Sequence, residues 1–309
     1  MNDSNVGMGV NILRKMVFAL LRITLIPFFI REVIQREKIT IIMYHDPKPD
    51  VADKHFEILK NKYNFISLKE YLEARKSGNI NRLPPKSLII TIDDGNKNNY
   101  KLKTLFEKYH ITPTIFLCSG VVGTNRHFWF NEDINNKECL KKISDEKRLD
   151  VLKKYGFKEQ KEYDERQALS KDEIVEMKNI VDFQSHTMFH PVLTKCSDDK
   201  AYREISQSKR DLEYYYKIKV YVLSYPNGNY SDSIISMAKK SGYECGITVD
   251  VGFNSQNTDL FKLKRMSVRD DADINELLVK VSGLWWYVRE IFDHIISIFK
   301  SKLIMIKNE

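Results

Sequence analysis

The chain has 309 residues, 42% of them hydrophobic, and a formal charge of +8 at pH 7. That is enough apolar material for one large α/β domain with terminal extensions. Its 50 Lys and Arg are interleaved with 42 Asp and Glu. With no basic stripe carrying base-stacking aromatics, the charge argues against nucleic acid and for an anionic membrane surface. Cys118, Cys139, Cys196 and Cys245 lack CxxC spacing, so neither a zinc ribbon nor a disulfide framework is indicated, and a reducing compartment is favoured.

Residues 1–36 read as an apolar and basic helical segment. Its apolar run, Met16 to Ile30, is flanked by Arg14 and Lys15 and broken by Arg22 and Pro27. A bilayer span takes ~20 predominantly apolar residues, so a peripheral membrane helix is expected. Arg31-Glu32-Val33 offers no small-residue cleavage site. An uncleaved signal anchor is the alternative.

From residue 37 to residue 283, short apolar runs alternate with amphipathic ones. Strands are predicted at Lys38–Tyr44, Ser87–Ile92, Thr112–Cys118, Val181–Ser185, Val220–Ser224, Tyr243–Val249 and Leu263–Val268. Helices are predicted at Val51–Lys62, from Ser67 with its capping-box Glu70, and at Asn98–Tyr109, Lys171–Lys178, Lys200–Tyr216, Ser231–Ser241 and Ile274–Val281. The alternation implies parallel strands covered by helices, in a barrel or an open doubly wound sheet. No GxGxxG follows the first strand, which excludes a dinucleotide fold.

A charged insertion, residues 119–170, carries His127-Phe128-Trp129-Phe130 and is expected to act as a lid or substrate wall. Residues 284–309 place Trp285, Trp286 and Tyr287 ahead of an apolar stripe through Val288, Ile291, Phe292, Ile295, Phe299, Leu303 and Ile306. Such a helix suits either a membrane interface or the outside of the barrel.

The chemistry-bearing residues fall at strand ends. Asp93-Asp94-Gly95 closes one apolar run, and His186-Thr187-Met188-Phe189-His190 follows another. One carboxylate and two neutral imidazoles form a three-ligand set that leaves a divalent metal an open position for water. Either motif alone is ordinary turn or surface chemistry, and the pair is specific.

Thr91-Ile92-Asp93-Asp94-Gly95 and His186-Thr187-Met188-Phe189-His190 resemble the two metal motifs of the polysaccharide deacetylases with NodB homology, carbohydrate esterase family 4. Ser224-Tyr225-Pro226-Asn227-Gly228 is similar to the third motif, with Ser224 where that family often has an Arg orienting the first Asp. The late strand that would carry an acid His lacks it. Met43-Tyr44-His45-Asp46 supplies a similar pattern near the N-terminus, which resembles a circularly permuted branch whose last barrel strand has moved to the front. In that branch a late-strand Arg supports the base, and Arg265 resembles it.

The resemblance, over about Ile39 to Val268, implies a distorted (β/α)7-type barrel of mainly parallel strands. The terminal helices would be extensions outside it. The expected roles are Asp94, His186 and His190 as ligands of a divalent metal, most simply Zn²⁺; Asp93 as base; and His45 as proton donor to the leaving amine. The backbone N–H of Tyr225, with the metal, is expected to hold the oxyanion. Substrate contacts are expected from Trp129 stacking on a sugar ring and from Pro226 and Asn227, although Trp129 serves equally well as a hydrophobic anchor for the insertion. The expected activity is N-deacetylation of an envelope glycan or lipid-linked glycan precursor at a membrane surface, on its cytoplasmic face. The alternatives are a deacetylase of soluble or extracellular oligosaccharide or peptidoglycan, and an inactive membrane-associated glycan-binding protein.

Overall fold

The computed structural model describes residues 3–134 and 136–291, with side chains from residue 11 onward. Eight strands form one parallel sheet: β1 (Thr40–Tyr44), β2 (Asn64–Phe65), β3 (Ser87–Ile92), β4 (Thr114–Leu117), β5 (Asp182–Ser185), β6 (Val222–Ser224), β7 (Cys245–Ile247) and β8 (Met266–Ser267). Their order is β7-β6-β5-β4-β3-β1-β8, with β2 beside β3. The sheet is curled. Leu263 bridges to Ile247, and three residues later Met266 pairs with Ile42, so one stretch of chain touches both ends of the strand path. The architecture is a distorted (β/α) barrel.

β1 and β3 are buried along their whole length, as expected of parallel strands covered on both faces. Ile41 points inward with Ile89, Phe116, Val222, Ile247 and Leu263. Ile42 and Tyr44 point outward against Phe56 and Phe106 of the surrounding helices. The period of two therefore puts Met43 and His45 on the inner face, at the mouth.

Element boundaries differ from the sequence expectations where side chains compete with the ladder. The run expected as a strand over Val220–Ser224 pairs only from Val222. The Gln184 carboxamide accepts from Tyr221 N and Val222 N and donates to Lys219 O, replacing ladder bonds there. The expected strand Leu263–Val268 is reduced to Met266–Ser267 because its first residues turn to β7. The helix expected from Asn98 opens as a 3₁₀ turn, Lys97–Leu102, before Lys103–Tyr109.

The insertion has its own small core of Trp129, Ile134, Leu140, Leu152 and Phe157, beside the helix Asp145–Lys154. At the N-terminus a helix, Asp3–Ile23, packs through Phe18 on Val279 and Leu284. Arg22 also bonds to Asn275, and Arg14 pairs with Glu276. The chain is helical again over 284–291, and the rest of the expected C-terminal amphipathic helix lies outside the described residues. Among the described residues no helix is long and apolar enough to cross a membrane.

Candidate active site

The site is built at the C-terminal ends of the strands, the rim where barrel sites are assembled. Asp93 N donates to Tyr44 O at 2.9 Å, continuing the β3–β1 ladder by one residue. The chain then reverses, with Asp94 at φ 73° and Gly95 at φ 73°. Asp tolerates that region better than most residues. At Gly95 a Cβ would also lie 2.6 Å from Leu117 Cδ2, so glycine is required twice over.

The loop after β5 is under comparable constraint, with Thr187 at φ 67° and His190 at φ 56°. Such backbone persists only where its surroundings over-determine it. Here the Glu204 carboxylate accepts from Met188 N and Phe189 N, both at 2.9 Å, and the Trp129 indole donates to His190 O at 2.8 Å. His190 N donates to Thr187 Oγ1. Glu204 and the indole thus fix the direction of the second histidine.

Asp94, His186 and His190 are all buried, and their potential ligand atoms lie within 4.8 Å of one another. Asp94 Oδ1 is 3.6 Å from Nε2 of each imidazole. It is buried with no hydrogen-bond partner, an arrangement that costs about 1–3 kcal/mol unless something else satisfies it. His186 Nδ1 donates to Ser224 O at 2.8 Å, which leaves the Nε2 lone pair free. Burial, with the nearby His186, holds the His190 imidazole well below its usual pKa, in the neutral form a ligand needs. Burial raises the Asp94 carboxyl, only partly opposed by His45 and His186. One orphaned carboxylate oxygen facing two imidazole Nε2 atoms is the donor set of a divalent cation, and the residues fit one.

Asp93 lies beside this group but engages a different partner. The Arg265 guanidinium grips it bidentately, Nη1 to Oδ1 at 2.7 Å and Nη2 to Oδ2 at 2.8 Å. Arg265 is itself fully buried and donates further to Thr248 O, Thr91 Oγ1 and Ser224 Oγ. Burial pushes the Asp93 carboxyl up, but the Arg265 charge, with His186 and His45, overrides it and holds the group far below the ordinary carboxylate range. Ser224, where the resembled motif often has arginine, thus accepts from an arginine supplied by the residue just before β8.

His45 follows β1 and is half-buried at the mouth, its strand end tied by His45 N to Asp270 Oδ1 and by Asn99 Nδ2 to His45 O, both at 3.0 Å. A cavity of about 190 Å³ is lined by Met43, His45, Asp93, Asp94, His186 and His190. Phe130, Lys141, Asn227 and Val249 complete the wall.

Three expectations are corrected. Tyr225 N already donates to Ile247 O at 3.0 Å, because the β6–β7 ladder runs one residue further than the sequence suggests, so it is not free for an oxyanion. Asn227 Nδ2, in contrast, is a buried donor without a partner, on a residue at φ 55° that lines the cavity. Trp129 is only 2% exposed, anchored in the insertion core beneath Arg148 at 4.5 Å, and offers no face to a sugar. The aromatic at the cavity is its neighbour Phe130, edge-on to His190 at 4.8 Å. Pro226 is buried beneath the turn and does not line the cavity. Phe130, Lys141 and Glu204 were not singled out from sequence. The HxxxH motif does signal that its loop needs a tether, but not which residue supplies it.

Comparison with known proteins agrees with this geometry. The family model for polysaccharide deacetylase matches residues 80–246, just over half of the 309, and the chain belongs to that family. It is 27% identical over 218 residues to the poly-β-1,6-N-acetyl-D-glucosamine N-deacetylase of Staphylococcus epidermidis, a match covering 67% of this chain and 62% of that protein. The Staphylococcus aureus protein of the same description is 24% identical over 217 residues, again with 62% of its length covered. Among solved structures, the Streptococcus pyogenes deacetylase PplD in complex with acetate superposes with a TM-score of 0.58 at 22% identity, covering 79% of this chain and 98% of that one. IcaB from Ammonifex degensii gives 0.58 at 16% identity, over 80% and 96%. The chain is therefore similar in fold to deacetylases and is a hydrolase of amide bonds in N-acetylated sugars.

Proposed function

We propose that this protein is a metal-dependent N-deacetylase of an envelope glycan or its lipid-linked precursor, working at a membrane surface. The observation that carries the reading is the convergence of Asp94, His186 and His190 beside an Arg265-held Asp93 and a rim histidine in one cavity. Asp94, His186 and His190 would hold a divalent cation, which supplies a water of lowered pKa and a charge for the acyl oxygen.

The chain's own groups do the rest. Asp93 is kept ionised and oriented by Arg265, and accepts the water proton. Asn227 Nδ2 reaches the cavity with no other partner and is the candidate donor to the acyl oxygen, the task expected of Tyr225 N–H. His45 delivers a proton to the departing amine, its backbone fixed by Asp270 and Asn99. Phe130 and Val249 shield the reacting group from bulk water.

Membrane contact is supported by the outer face of the N-terminal helix and the turns after it. Ile12, Leu13, Met16, Leu20, Ile23, Leu25, Phe28 and Phe29 are all exposed, with the exposed Lys15 and Arg22 among them. An apolar stripe edged by cations fits the headgroup region of an anionic membrane, and the cytoplasmic leaflet is the anionic one expected. Sedimentation with anionic vesicles is expected for the intact protein and to be lost in Phe28→Glu/Phe29→Glu.

The decisive assay is acetate release from N-acetylglucosamine oligomers by zinc-loaded protein, with His190→Ala expected to lose both metal and turnover. Full metal occupancy with no acetate from any glycan tested would replace this reading with a glycan-binding one.

A further inference from the structure

The loop that ends in His190 is held by its backbone, and the groups that hold it reach back to the insertion. Ser119 N and Gly120 N, where the insertion begins, donate to Thr187 O at 3.0 Å and to Met188 O at 2.9 Å. Further along the insertion the Trp129 indole donates to His190 O. The loop's own donors, Met188 N and Phe189 N, both go to Glu204 Oε2, on the helix Asp198–Tyr216.

Glu204 does not act alone. Its other oxygen, Oε1, lies 3.1 Å from Lys200 Nζ, and the same ammonium donates to Glu159 Oε2 at 2.8 Å. Glu204 is buried, and a buried carboxylate stays a charged acceptor only with a cation beside it. Charged acceptors make the stronger hydrogen bonds. Burial raises the Glu204 carboxyl, and Lys200 is the largest influence opposing that rise. Burial by itself would lower the Lys200 ammonium, but Glu204 and Glu159 together raise it. Glu159 stands in the second half of the insertion, 41 positions before Lys200. One ammonium thus bridges two carboxylates, one gripping the histidine loop and one belonging to the insertion.

We propose that Lys200 and Glu159 are positioning residues for the candidate metal ligand His190, acting through Glu204 on the backbone of its loop. The inference rests on the metal-site reading and carries it outward into the insertion. Trp129 fixes the loop by a carbonyl, at His190, and the Glu159–Lys200–Glu204 relay fixes it by its donors, at Met188 and Phe189. Thr187 and His190 both have positive φ, and such backbone relaxes when its restraints are removed. His190 Nε2 would then leave its place 3.6 Å from Asp94 Oδ1.

The relay is tested on full-length protein stripped of metal and titrated with zinc. Lys200→Met leaves two carboxylates facing each other and is expected to lower zinc affinity, measured by competitive chelation, ~10–100-fold. Lys200→Arg keeps the cation and is expected to retain most of that affinity. Glu159→Gln, an isosteric change outside the barrel, keeps the relay testable should Lys200→Met fail to fold, and is expected to lower affinity about fivefold, the low end of coupling between separate sites. In a Glu204→Gln background the same change should add nothing further, because its route runs through that carboxylate. Losses that multiply would send the effect of Glu159 by another route and overturn the relay, as would unchanged affinity in Glu159→Gln. In zinc-free protein, amide hydrogen exchange at Met188 and Phe189 is expected to quicken in Glu159→Gln while exchange in β3 keeps its wild-type rate. Equal quickening in β3 would make Glu159 a structural residue only and reject the proposal. Wild-type protein that bound no zinc would defeat the metal-site reading, while the exchange rates would still decide whether the relay holds the loop.

Discussion

The barrel and the insertion each bury an arginine, and they use it differently. Arg265 in the barrel directs its guanidinium at Asp93, Thr91, Thr248 and Ser224, all groups of the inner face. Arg148 in the insertion pairs with Asp145 and lies over Trp129, while its Nε and Nη1 have no hydrogen-bond partner. A buried cation marks a catalytic carboxylate only where its donors converge on one. In the insertion the cation closes a small core, and the indole beneath it reaches the site second-hand through His190 O. The barrel thus sets the chemistry, and the insertion buttresses and partly roofs it through Trp129, Phe130 and Lys141.

The sharpest way to break this contrast is to remove the barrel's proposed base. Asp93→Asn keeps the side-chain volume and should lower kcat by ~10²–10⁴-fold while metal stoichiometry stays at the wild-type value, as elemental analysis would show. Should turnover persist, the base lies elsewhere. Next in size is the loop tether. Glu204→Gln weakens the acceptor for Met188 N and Phe189 N, and zinc affinity measured by competitive chelation is expected to fall ~10–100-fold. Unchanged affinity would mean the loop holds its own conformation.

Arg148→Met tests the other half of the comparison. Leaving Asp145 buried without its partner should cost about 3–5 kcal/mol in denaturant unfolding. The kcat of the folded fraction should nonetheless fall by much less than the ~10²-fold that marks loss of a positioned base. The smallest change is Trp129→Phe, which deletes one hydrogen bond to His190 O and should cost about 1 kcal/mol, read as a lower melting temperature with metal still bound.

Much of the barrel was legible because parallel strands buried on both faces leave unbroken apolar runs, as in Ser87–Ile92. The cluster of Asp94, His186 and His190 was legible for a related reason. Asp94 and the two histidines each sit immediately after such a run, and a strand end defines where a side chain must emerge. The expectation for Tyr225 N–H went wrong over a single ladder bond, since the donor's fate depends on how far β7 accompanies β6. That is a property of two strands together. Trp129 misled for a similar cause. An aromatic in a polar insertion is equally suited to a sugar or to a local core, and only the packing of Ile134, Leu140 and Leu152 around it decides.

By itself, then, the sequence determined the strand and helix alternation, the rim position of Asp93, Asp94, His45, His186 and His190, and the polarity of the segments at either end. These follow from local periodicity and from residue chemistry, which need no neighbour distant in the chain. Tertiary structure decided which arginine grips Asp93, that the Tyr225 N–H is taken by the ladder, and which carboxylate steadies the histidine loop. Each of those depends on register and on the closing of the sheet, where groups 172 positions apart, as in Arg265 and Asp93, come within hydrogen-bonding distance.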